Sequence, residues 1–187
     1  MDFIEKARLL YNLSDESIGI LMENMEEIPF AKGEVVVGEG QRDDFAYFVQ
    51  KGFVRGYILR DGKTLSMLFA FEGDLATATL GAMGERLSRM TIEALEDSVL
   101  LKISRKEIER LFSESTELAN WGRKLAEKTL LENEHYFAEY FWADKATQYF
   151  NMIKEYPELL KRLSLKKLAS YLNMTPQSLS RIRAKHK

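Results

Sequence analysis

The residues best equipped for chemistry lie at the carboxyl end, in SLKKLASYLNMTPQSLSRIRAKHK from Ser164 onward. Thr175, Gln177, Ser178, Ser180, Arg181, Arg183 and Lys185 fall in one short helical stretch, and their polar groups sit opposite its apolar positions. Gln makes paired hydrogen bonds to adenine, and Arg makes them to guanine O6 and N7. A helix that presents both can read base edges in a major groove. Lys166 and Lys167, beside the start of the preceding helix, suit phosphate oxygens. This is the chemistry of recognition, and no bond need be made or broken.

The charge pattern agrees. The chain has 27 basic and 29 acidic residues, yet the segment from Lys161 to the end holds eight basic residues and no acid. Residues 1–160 therefore carry −10 and residues 161–187 carry +8. An acidic body that would repel phosphate bears a segment that would attract it. A solvated basic tail, or an amphipathic hairpin that only packs, would be the bland alternatives.

With no cysteine, iron–sulfur clusters, thiol switches and Cys-based zinc sites are excluded. The two histidines, His135 and His186, lie outside the strand-rich region. A metal-dependent β-roll enzyme of the cupin kind is thus not expected, nor is any enzyme. The amino end lacks the apolar run of a signal peptide, and no stretch nears the roughly 20 apolar residues of a membrane span. A cytoplasmic protein without a membrane partner is the expectation.

Three kinds of element must hold the recognition residues. Leu165, Leu168, Ala169 and Leu172 form one helical face that ends at Asn173. Asparagine is the usual substitute for glycine in a left-handed turn residue. Thr175 then offers a hydroxyl cap, and Pro176 stands at the first helical position, where its missing N–H costs nothing. Leu179 and Ile182 turn back to the core beside Met174, giving a helix-turn-helix. Upstream, Val35–Val37, Ala46–Val49, Val54–Leu59, Leu65–Phe71, Met90–Ala94 and Val99–Ile103 read as short strands. Asp61-Gly62 between two of them signals a hairpin. A roll, barrel or sandwich of antiparallel strands fits. Residues 2–28 read as helical, Ser104 as a helix cap, and Glu117–Trp142 as one long helix. That helix has two apolar stripes, one through Leu118, Trp121, Leu125, Thr129 and Tyr136, the other through Ala126, Leu130, Phe137 and Phe141. A parallel dimer seam would use them; burial against the C-terminal module is the alternative.

The glycine turns in FAKGEVVVGEG, YFVQKGFVRGYILRDGKTL and FEGDL, the exit TIEALEDSVLLKISRKEIERLF and the helix TPQSLSRIR resemble the CRP/FNR family of bacterial regulators. The resemblance implies an α+β chain. An N-terminal antiparallel β-roll of the cyclic-nucleotide-binding-domain type would occupy residues 1–113. A dimerisation helix would follow over 114–142, and a helix-turn-helix with little or no wing over 143–187. It also implies double-stranded DNA and a second copy as partners, with RNA polymerase as a further one. Base reading maps to Gln177, Ser180 and Arg181. In members that bind cyclic AMP, a Gly-Glu pair and a phosphate-holding arginine line the pocket. Here the pair falls on Thr77 and Ala78 and the arginine on Ser88, while Arg89 is one place away. A one-residue slip in a strand turns a side chain to the opposite face. Cyclic AMP is therefore not the expected ligand, no cofactor is implied, and any small-molecule effector is unknown. The FNR cluster cysteines are missing too. The expected function is sequence-specific transcriptional regulation; the alternative is a ligand-sensing or interaction protein with a degenerate DNA-binding module.

Overall fold

The computed structural model describes residues 1–77 and 87–185, leaving aside the side chains at 136, 139–141 and 155. Two compact units emerge. One comprises residues 1–59 and 67–126; the other comprises 60–66 and 127–187. This division falls inside the long helix, where the sequence places boundaries at 113 and 142.

The first unit opens with helices α1 (Phe3–Tyr11) and α2 (Asp15–Glu23). A capping box on Asp2 and Glu5 starts α1, and Ser14 caps α2 by accepting from the Ser17 amide. Strands follow: β1 (Glu26–Phe30), β2 (Val35–Val37), β3 (Phe45–Lys51), β4 (Val54–Arg60), β5 (Lys63–Ala70), β6 (Thr91–Ala94) and β7 (Ser98–Ser104). They form a three-stranded sheet, β1-β7-β3, and a four-stranded sheet, β2-β6-β4-β5, with antiparallel pairing in both. β1 corrects the expectation that helix continues to residue 28. Two glutamates and a proline hide the strand pattern in EEIPF, and only pairing with β7 reveals it. Its place at the sheet edge makes Pro29 tolerable, because a proline has no N–H to give a further strand.

The three-stranded sheet is covered on both faces, which explains its near-continuous apolar runs. Ala46, Phe48, Leu101 and Ile103 pack with Phe3, Ala7, Ile18 and Leu21 from the helices. Tyr47, Val49 and Leu100 face the other way, toward Val37, Val54, Ala70 and Ile92. Alternation along β3 thus feeds two cores from one strand. Asp61 and Gly62 both take positive φ, 51° and 72°, as a tight hairpin turn requires.

Ser104 caps α3 (Arg105–Glu114), and α4 (Thr116–Trp142) follows. The start of α4 is buried in the roll: Leu118 is 0% and Trp121 4% exposed. The Trp121 ring lies 5.6 Å from Phe48 and 6.1 Å from Phe3, centroid to centroid. Glu117, one residue before Leu118, accepts from the Ser14 amide and from both the Ser14 and Ser17 hydroxyls. Those bonds hold its carboxyl below the usual carboxylate range, the Ser17 hydroxyl contributing most.

The second unit holds the rest of α4, then α5 (Lys145–Glu155), α6 (Leu159–Arg162), α7 (Leu165–Tyr171) and α8 (Pro176–Lys185). Its small core draws on Tyr149, Met152, Leu159, Leu163, Leu168, Ala169, Leu172 and Leu179. Among the described residues, no helix is long and apolar enough to cross a membrane.

Candidate nucleic-acid interface and the roll interior

The α7–α8 pair follows from local chemistry. Ser164 caps α7 by accepting from the Lys167 amide. Asn173 then takes φ 49°, the left-handed turn its residue type predicts. The Thr175 hydroxyl accepts from the Ser178 amide at 3.2 Å and lies 3.0 Å from the Ser178 hydroxyl. Two of the residues expected at DNA therefore spend hydroxyl capacity on the start of α8. Leu179 is fully buried, and Ile182 and Met174 are partly so, which fixes the rotation of α8.

With that rotation set, Gln177, Ser180, Arg181, Arg183 and Lys185 are exposed, while Ser178 is half-buried. Lys166 is exposed and Lys167 half-buried on the first turn of α7. The structure thus brings an amide, a hydroxyl and three cations onto the open side of one helix. Donors arranged this way can meet base edges and phosphates.

The long helix corrects part of the dimer-seam expectation. Leu118 and Trp121 belong to the roll's own core, and Leu125 packs partly buried against it. A side chain already buried in its own chain has nothing left for a partner. Thr129 is half-buried, and the Tyr136 and Phe141 side chains lie outside the described residues. The other stripe behaves differently: Leu130 is 61% and Phe137 54% exposed.

In the roll, the residues aligned with a nucleotide pocket are engaged by the backbone. The Thr77 hydroxyl accepts from the Tyr47 amide at 3.2 Å. Ser88 is buried, and its hydroxyl donates to the Met90 carbonyl at 2.5 Å. Arg89, next along in the bend that precedes β6, is exposed. Ala78 lies outside the described residues. Beside these positions, Met90 and Leu68 press on Gly56 so closely that a side chain at 56 would collide with both. The buried cation of this sheet, Arg55, pairs with Glu93 at 3.0 Å and lies 4.2 Å above the Tyr57 ring. It stands directly across from Glu93 in the β4–β6 register, on the face opposite Val54 and Ile92. Spacing could not find that pair, because it depends on strand register.

One carboxyl stands apart. Asp43 is buried; one oxygen accepts from the Phe45 amide, and Oδ2 has no hydrogen-bond partner among the described residues. Burial pushes its pKa up, and neighbouring Asp44 adds to the rise. The Tyr47 phenol is pushed up to about 12 by burial, with help from Asp43.

Residues 27–115 match the family model described as the cyclic nucleotide-binding domain. Among solved structures, a CooA mutant from Carboxydothermus hydrogenoformans aligns with a TM-score of 0.75 at 16% identity, covering 99% of this chain and 84% of that one. FixK2 from Bradyrhizobium japonicum aligns at 0.71 and 21% identity, covering 86% and 83%. A protein from Eubacterium rectale, assigned to the crp/fnr family of transcriptional regulators, aligns at 0.69 and 17%, covering 95% and 85%. No curated protein sequence matches. The fold is that of the CRP/FNR regulators.

Proposed function

We propose, for a chain that carries a cyclic nucleotide-binding domain in the CRP/FNR fold, that it is a sequence-specific DNA-binding transcriptional regulator acting as a homodimer. The observation that carries this reading is the acid-free α7–α8 pair, with Gln177, Ser180 and Arg181 exposed on its second helix. In a helix-turn-helix the N-terminal part of the second helix enters the major groove. Two copies about 34 Å apart would meet successive grooves of a near-palindromic site. The exposed Leu130 and Phe137, seven residues apart on α4, supply the seam that would pair the copies.

The effector is unknown, and cyclic AMP is a poor candidate. Its phosphate needs a paired cation, and at the aligned position the Ser88 hydroxyl donates to the Met90 carbonyl. Any effector must bind two states of the protein with different affinity to change DNA binding.

A titration of genomic DNA fragments over a salt series tests the proposal. Log affinity is expected to fall with log salt at a slope of about −0.9 per phosphate contact, with some fragments clearly preferred. A flat response without preference at low salt would instead favour a ligand-sensing or interaction protein, the reading to which the cyclic nucleotide-binding domain alone would point.

A further inference from the structure

The β5 strand lies at the edge of the four-stranded sheet. An edge strand presents amides and carbonyls that a further strand would otherwise take up. In β5 one such pair meets a side chain. The Ser170 hydroxyl, on α7, donates to the Thr64 carbonyl at 2.5 Å and accepts from the Ser66 amide at 3.2 Å, with the Ser66 hydroxyl 3.3 Å away. The carbonyl of one strand residue and the amide two places on point the same way. A single hydroxyl thus replaces what a neighbouring strand would offer. Ser66 is fully buried there, and residues 60–66 belong to the same compact unit as the C-terminal helices.

We propose that Ser170 is a positioning residue for DNA recognition: its hydroxyl splints the first helix of the helix-turn-helix to the tip of the β4–β5 hairpin and so fixes the pitch at which α8 is offered. The proposal rests on the DNA-binding reading above. The contact is compatible with binding and does not mask it, because Gln177, Ser180 and Arg181 stay exposed while it is made. A group that both donates and accepts is required, so alanine or valine at 170 breaks the splint and threonine preserves it.

Amide hydrogen exchange on the full chain without DNA reads the splint directly. Ser170→Ala and Ser170→Val are expected to speed exchange at the Ser66 amide by roughly tenfold, and Ser170→Thr to restore it. In DNA titrations the first two should lose roughly three- to tenfold in affinity for a preferred fragment. The salt slope and the affinity for unrelated DNA should stay as in the unaltered chain, since Ser170 neutralises no phosphate. Unchanged Ser66 exchange in Ser170→Ala overturns the splint. Faster exchange with undiminished preference for the fragment overturns the positioning role. Failure of the unaltered chain to bind DNA is a separate result, and it would sink the function proposed above.

Discussion

The β-roll and the α7–α8 pair use polar side chains in opposite ways. In the roll, Thr77 and Ser88 hold backbone groups, and Arg55 is matched by Glu93. On α8, Gln177, Ser180 and Arg181 face outward from a helix whose only fully buried side chain is Leu179. A buried polar group must find its partner inside the fold, at a cost if it does not. An exposed one is left for something else to satisfy. Thr77, Ser88 and Arg55 are thus spent inside the roll, whereas the side chains on α8 are left to a partner outside it. The long helix repeats the contrast in apolar terms, with Trp121 sunk in the core and Leu130 held out.

The strongest way to break this contrast is at the core. Trp121→Ala should cost roughly 3–5 kcal/mol of stability, read by chemical denaturation, and leave self-association of the folded fraction intact. If it abolished association without loss of stability, Trp121 would belong to the seam after all. Next in size, Leu130→Glu combined with Phe137→Glu should weaken the dimer by about 3 kcal/mol, measured by light scattering over a dilution series, and leave unfolding almost untouched at concentrations where the unaltered chain is already monomeric. At the recognition helix, Arg181→Ala should cost roughly 1–3 kcal/mol on a preferred site and blur one base position, whereas Lys166→Ala should weaken all sequences alike and reduce the salt slope by about 1. Equal behaviour of the two would show the base reader to be misassigned.

The smallest effect concerns Asp43. Its folded-state pKa lies above the ordinary value of 3.8, so its charged form is penalised at neutral pH. The penalty is relieved as pH falls through the raised pKa. Asp43→Asn should therefore raise the melting temperature by a few degrees at neutral pH, and the gain should vanish in acid. A gain that persisted in acid would mean the burial of charge is not its cause. Glu117 has the reverse sign. Its lowered pKa adds stability above its ordinary range, and that stability is lost as pH falls through the folded value.

Much of this was legible from residue types. Asn173, Thr175 and Pro176 specify the turn between α7 and α8, because each acts locally: Asn173 and Pro176 through backbone geometry, Thr175 through a hydroxyl that caps the amide three residues on. Asp61-Gly62 marks its hairpin for the same reason. What stayed hidden depends on partners distant in sequence. β1 is a strand because β7 lies beside it. Arg55 meets Glu93 only through register. The two apolar stripes of α4 look alike as spacing, and only burial separates the one spent on the roll from the one left exposed.

Pro29 carries a consequence for crowded conditions. Sheets that end in an unbroken row of amide donors invite a strand from another molecule, and fibres can grow from that docking. With its ring nitrogen at the border of β1, the chain interrupts that row. Copies emerging side by side during synthesis therefore find a poor template at this border, and the acidic neighbours Glu26 and Glu27 add mutual repulsion.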